Sequence, residues 1–192
     1  MKKIIKAIAI ILVFSIMCFS FNSIEIQAKK VDAGVKWKYT HGSSGFELQE
    51  NGNWCWAASA RNMAVSKVTA VNVKKSQRDI VKAIKGKVQY VTATIQETSK
   101  ATKVCNNSCQ SKYKNSRLTF KQIKAKINKG GGIILDMQNQ FYGGHAILLY
   151  GYSSDGDVKV YDPKRGVAIY NYTQLKKGNG LKGYTYEQSI YF

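Results

Sequence analysis

Asn53-Trp54-Cys55-Trp56-Ala57-Ala58-Ser59 is the stretch on which the reading of this chain turns, with Gln49 six residues before the cysteine. A cysteine set between two tryptophans runs straight into small helix-forming residues at 57–60. Its sulfur therefore belongs to the first turn of a helix slim enough to lie deep in a domain. At that end the backbone N–H groups lack intrahelical acceptors and the helix dipole is positive. A thiolate is favoured there and the thiol pKa should fall. Read without chemistry, the same residues are a buried cysteine serving as a small core hydrophobe. The choice depends on what the rest of the chain places beside the sulfur.

Residues 1–28 read as a secretory signal peptide lying outside the fold. Lys2, Lys3 and Lys6 form a basic start, residues 7–21 are an apolar run broken by two serines and Cys18, and Ile26-Gln27-Ala28 fits a cleavage site. The run is too short for a membrane span. A lipid-modified Cys18 fits less well, because Met17 before it is larger than the small residue such sites take. Residues 29–192 then form one domain by length, large enough for its own core.

Cysteine usage sharpens this. Without Cys18 the chain keeps Cys55, Cys105 and Cys109. In an exported protein the closely spaced Cys105 and Cys109 are expected to close a small disulfide loop, which leaves Cys55 as the odd thiol. A zinc site would need two further ligands, and His41 and His145 are the only histidines, so neither a metal nor another cofactor is expected.

The chain has 30 Lys and Arg against 11 Asp and Glu, a net charge of +19, and loss of the signal with its three lysines and Glu25 leaves +17. Such a surface is drawn to anionic cell-wall polymers or membrane surfaces. The lysines are spread over 74–87, 112–129 and 164–182 without one dense block, and no nucleic-acid-binding signature accompanies them. The expectation is a secreted, wall-attracted monomer with no specific nucleic-acid partner.

Element signals divide the chain into a helical half and a stranded half. Ser76-Gln77-Arg78-Asp79, Thr94-Ile95-Gln96-Glu97 and Thr119-Phe120-Lys121-Gln122 each have the pattern of a capping box, with Gly86 and Gly130 closing the first and third helices. Gly130-Gly131-Gly132 has no following Lys-Ser/Thr and reads as a turn, not a phosphate loop. Residues 133–137, 146–152, 158–161, 167–172 and 184–191 are β-branched or aromatic runs separated by Gly, Asn and Asp.

The stranded half supplies a base. Gly143-Gly144-His145 opens a strand, residues 153–156 turn, and residues 157–162 run back to Asp162-Pro163. With that four-residue turn Tyr152 pairs with Asp157 and Ile147 lies opposite Asp162, so His145 is the diagonal neighbour of Asp162 on one face. A tight two-residue turn would separate them, so a longer or bulged loop is required. Pro163 keeps Asp162 extended. His41, in a Gly-Ser-rich lead-in, is expected to be a surface residue.

Roles follow. Cys55 attacks a carbonyl, His145 moves the proton, and Asp162 sets the imidazole tautomer. The Gln49 amide and the Cys55 N–H bind the oxyanion, a contribution of roughly 3 kcal/mol per donor. Gln-x5-Cys-Trp, then Gly-His before an apolar strand, then Asp-Pro resembles the papain-like cysteine peptidases, in their compact bacterial branch of C39-like peptidases and AvrRpt2-type effector proteases. The resemblance covers residues 49 to about 166. The histidine lies 90 residues after the cysteine, short of the roughly 130–150 of larger papain relatives. Asp162 stands where those relatives use Asn, which again favours the compact branch. The resemblance implies an α+β papain-like fold with the helical half, nucleophile helix included, packed on a C-terminal antiparallel sheet. It also implies a secreted thiol endopeptidase acting on polypeptides. A papain-like peptidoglycan amidase or endopeptidase, and an inactive wall-binding module on the same fold, are the alternatives.

Overall fold

A computed structural model describes residues 34–40 and 44–192 of the chain. The expected signal peptide and His41 lie outside the described residues. The described part forms one compact unit. In it, helices α1 (Cys55–Val68), α2 (Gln77–Lys85) and α3 (Ile95–Cys105) precede most of the sheet. Helix α4 (Phe120–Asn128) follows, and a short α5 (Tyr172–Lys176) interrupts the strands. The strands are β1 (Trp37–Tyr39), β2 (Lys112–Lys114), β3 (Ile133–Asn139), β4 (Gly143–Ser153), β5 (Asp157–Asp162), β6 (Gly166–Asn171) and β7 (Thr185–Tyr191). All pair antiparallel in the order β2-β7-β3-β4-β5-β6, with β1 added to the far end of β4.

Each of the three capping boxes is in place: Ser76 with Asp79, Thr94 with Glu97, and Thr119 with Gln122 exchange side-chain-to-backbone bonds across the first turn. Gly86 ends α2 in the left-handed conformation, φ 78°, that a side chain resists. Helix α1 has no side-chain cap, and Trp54 precedes it with its N–H bonded to Asn51 O. What holds α1 is burial. Its small residues let it pack on nearly all sides, and even Ser59, Asn62 and Ser66 are inaccessible.

The sheet is covered on both faces. One cluster joins Ala57, Ala60, Met63 and Ala64 of α1 to Ile134, Ala146, Leu148, Tyr150 and Ile190. The opposite cluster joins Ile123 and Ile127 of α4 and Leu175 of α5 to Ile133, Leu135, Met137, Ile147, Leu149 and Val160. Successive residues of β3 and β4 therefore feed different layers, which is why these strands are continuous apolar runs. Helix α4, assigned from sequence to the helical half, covers the other side. Residue 172 opens α5 instead of extending the strand, because the Asn171 side chain caps it by accepting from Thr173 N and Gln174 N.

The β4–β5 register bears on the site. Leu148 pairs with Tyr161 and Leu149 with Val160, the alignment that puts Ile147 across from Asp162. A bulge between Leu149 and Gly151 shifts the outer pairs by one, so Tyr152 faces Val158 and not Asp157 as the turn length suggested. The bulge absorbs an extra residue without moving the inner end.

Candidate active site

Cys55 is the first residue of α1, His145 the third of β4, and Asp162 the last of β5. The three are 7%, 3% and 1% exposed. His145 Nε2 lies 2.8 Å from Asp162 Oδ1. Asp162 also accepts from the Lys164 N–H at 2.8 Å, and the Arg165 guanidinium lies 3.5 Å from its other oxygen. With Nε2 engaged, the buried Nδ1, which has no other hydrogen-bond partner among the described residues, is the nitrogen left for the Cys55 sulfur.

The electrostatics form one coherent set. Burial alone pushes the Cys55 thiol up. The hydrogen bond and charge of His145, the Ala146 backbone N–H and the Lys164 ammonium together outweigh it and hold the thiol below its ordinary value. Burial pulls His145 down, but hydrogen bonds to Asp162 and Cys55, with their negative charges, push it up to about 9. Asp162 is also opposed by burial, and the His145 contact keeps it below the usual carboxylate range. This arrangement favours a thiolate–imidazolium pair and can carry nucleophilic attack with proton return.

Several supports were not singled out from the sequence. Ser59, one helical turn beyond Cys55, donates to Ala146 O at 2.9 Å and pins α1 to the strand that carries His145. Trp54 Nε1 donates to Gln89 O at 2.7 Å, Trp56 Nε1 to Val91 O at 3.1 Å, and Asn53 Nδ2 to Tyr90 O at 2.7 Å. The residues around Cys55 thus clamp the 89–91 segment as a wall beside it. Tyr184, itself buried, lies 5.8 Å from the His145 ring, between centroids. The tryptophan pair was the available signal for the clamp. Nothing local marks Ser59 or Tyr184.

Gln49 is held by its backbone N–H on Pro163 O at 2.9 Å, which ties it to the Asp162 turn. Its Nε2 donates to Asn51 O at 2.6 Å, leaving the second amide N–H for another acceptor. The Cys55 N–H belongs to the first turn of α1, where no intrahelical acceptor exists. A cleft of about 440 Å³ opens at Cys55 and His145, between a wall at Trp56 and Ala93 and the sheet floor at Ile134 and Ile190.

The expected Cys105–Cys109 disulfide is absent; both are buried free thiols. Cys105 ends α3 with its Sγ turned back along the helix onto Ala101 O at 3.1 Å. The loop between them is closed by hydrogen bonds instead, Cys109 N to Asn106 O at 2.8 Å and Ser108 N to Asn106 Oδ1 at 2.9 Å. Burial pushes the Cys105 thiol up to about 12, aided by the neighbouring Cys109. Among the described residues no group of three or more His, Cys, Asp or Glu side chains is placed to hold a metal ion.

Comparison with known proteins returns a family match and several structural likenesses, among them the following two. The model of the Peptidase_C39 like family matches residues 43–189. A solved double glycine motif protease from an AMS/PCAT transporter, in complex with its leader peptide, is 14% identical with a TM-score of 0.43, covering 81% of this chain and 96% of that one. The Pseudomonas avirulence protein AvrPphB is 13% identical with a TM-score of 0.37, covering 79% and 98%. No curated protein matches the chain. The family model spans well over half of the sequence, so the chain belongs to the Peptidase_C39 like family and is a cysteine peptidase.

Proposed function

We propose that the chain is a secreted thiol endopeptidase that cuts polypeptides through Cys55, His145 and Asp162. The observation that carries this reading is the buried His145–Asp162 contact of 2.8 Å, which leaves the other imidazole nitrogen to a cysteine at a helix N-terminus. In the proposed reaction the Cys55 thiolate adds to the scissile carbonyl. The oxyanion is held by the Cys55 N–H and the free N–H of the Gln49 amide. His145 then gives its Nδ1 proton to the leaving amine, the C–N bond breaks and a thioester remains. Water adds to the thioester with His145 taking its proton, and the acid product leaves as the thiolate re-forms. Asp162 keeps the imidazole oriented and stabilises its cationic form.

Secretion rests on the basic, apolar and cleavage-site pattern of residues 1–28. N-terminal sequencing of protein recovered from culture medium should begin at Lys29. The test of the chemistry is hydrolysis of a peptide mixture by residues 29–192 beside Cys55→Ala and His145→Ala, with the thioester trapped by acid quench. Product formation by the wild type alone supports the reading. Equal product from Cys55→Ala overturns it. The net charge of +19 gives a wall substrate a specific footing; release of stem peptides from purified peptidoglycan, without cleavage of proteins, would favour the amidase instead.

A further inference from the structure

The cleft holds an ionisable side chain that the proposed hydrolysis does not use, Asp136. It lies on β3 across from Ala146, the residue whose backbone N–H faces the Cys55 sulfur. Alternation along β3 puts Ile134, Asp136 and Gln138 on the cleft floor, and Gln188 of β7 pairs with Asp136 on its other side. The carboxylate is steered from one direction: Gln138 Nε2 donates to both oxygens, at 3.1 and 3.0 Å. Gly144 makes room for that amide, since a Cβ there would come 3.2 Å from Gln138 Nε2.

What Asp136 lacks is a counter-charge. Among the described residues no Lys or Arg forms an ion pair with it, and none lines the cleft. His145 is committed to Asp162. The charge that acts on Asp136 is another acid, Glu187, itself 2.7 Å from Arg117. This occurs in a chain with 30 basic residues against 11 acidic ones. A half-buried carboxylate held without a cation is unfavourable, and a cation brought by a ligand relieves it. A long neutral side chain would cover the Ile134–Ile190 floor but leave the carboxylate uncompensated, and an acidic one would add repulsion.

We propose that Asp136 is a specificity residue that selects polypeptides with a Lys or Arg side chain within two residues of the scissile bond. The reading rests on the peptidase function proposed above. The distance limit comes from the geometry. Cross-strand neighbours lie about 5 Å apart and an extended peptide advances about 3.3 Å per residue. Only a side chain close to the bond can therefore lie over Ala146 and reach down to the next strand.

Cleavage sites in a proteome-derived peptide library, located by mass spectrometry, test this with residues 29–192. The wild type should enrich Lys or Arg at one position within two residues of the bond. On matched peptides carrying Lys or Ala at that position, Asp136→Asn should lower the Lys-to-Ala ratio of kcat/KM by at least roughly thirty-fold, and Asp136→Glu should recover part of it. Asp136→Lys should turn the preference towards Asp and Glu. The affinity of Cys55→Ala for the same two peptides, by calorimetry, reads the preference without turnover and without altering Asp136. No basic enrichment, an unchanged ratio in Asp136→Asn, or equal affinities in Cys55→Ala would overturn the proposal while leaving the peptidase reading intact. A wild type that cuts no peptide at all would overturn both.

Discussion

At the residue scale the site depends on three groups whose charged states support one another. Because His145 is pushed up to about 9 while Cys55 and Asp162 are held down, the thiolate–imidazolium pair should already be formed near neutral pH. Iodoacetamide should modify Cys55 quickly at pH 6, and His145→Ala should slow it. A rate that rises only near pH 8 or above, and equally in both proteins, would mean an ordinary cysteine. The sign of the stability linkage follows from the raised imidazole. Folded His145 binds its proton more tightly than the unfolded side chain. That contribution is complete below about pH 6.5 and lost as pH rises through about 9. NMR titration should find one histidine near 9, and Cys55→Ala should bring it down by removing the sulfur's hydrogen bond and charge. With His145 as the proposed base, His145→Ala should lower kcat by roughly two to four orders of magnitude.

At the scale of elements, the geometry of the candidate site depends on how α1 is docked on β4. Ser59 is fully buried and makes the hydrogen bond that joins the two at Ala146. Ser59→Ala leaves a buried carbonyl unsatisfied and should cost about 1–3 kcal/mol, measured by denaturant unfolding. It should also slow alkylation of Cys55, which a purely structural loss would not do in protein that remains folded. The other end of the helix is set by Gly132, whose N–H bonds Ser66 Oγ. A Cβ on Gly132 would lie 2.5 Å from that oxygen and 2.9 Å from Leu148 Cδ1. Gly132→Ala should therefore destabilise by about 1–3 kcal/mol through overpacking, and a melting temperature equal to wild type would contradict the tight approach.

At the scale of the whole molecule, thiol chemistry and charge give separate tests. Cys55, Cys105 and Cys109 are free in the structure. Protein of residues 29–192 denatured without reductant should therefore titrate three thiols, and only Cys55 should react rapidly before unfolding. A single thiol after denaturation would restore the disulfide that the cysteine spacing suggested. The surplus of basic residues should draw Cys55→Ala to anionic vesicles at low salt and release it as ionic strength shortens the Debye length from about 10 Å at 0.1 M to 3 Å at 1 M. Among the described residues no helix is long and apolar enough to cross a membrane. Attachment that persists in 1 M salt would call for a contact other than charge.

The capping boxes, the alternation of strands and turns, and the helix opening at Cys55 were all legible in the sequence, because each is set by residues within a few positions of one another. His145 and Asp162 could be placed on one face by counting along a hairpin. Only the tertiary structure decided how the count survives: a bulge at Leu149–Gly151 corrects the outer register and leaves the inner one intact. The double covering of the sheet, with α4 on the face away from α1, was also hidden, since an apolar strand does not say which element covers which side. The spacing of Cys105 and Cys109 allowed a bond that side-chain direction on α3 does not make. Ser59, Tyr184 and Asp136 acquire meaning only from neighbours across the fold, 87 residues away in the case of Ser59 and Ala146. Local chemistry is written in short-range pattern, whereas the orientation of groups that meet across layers is settled by packing.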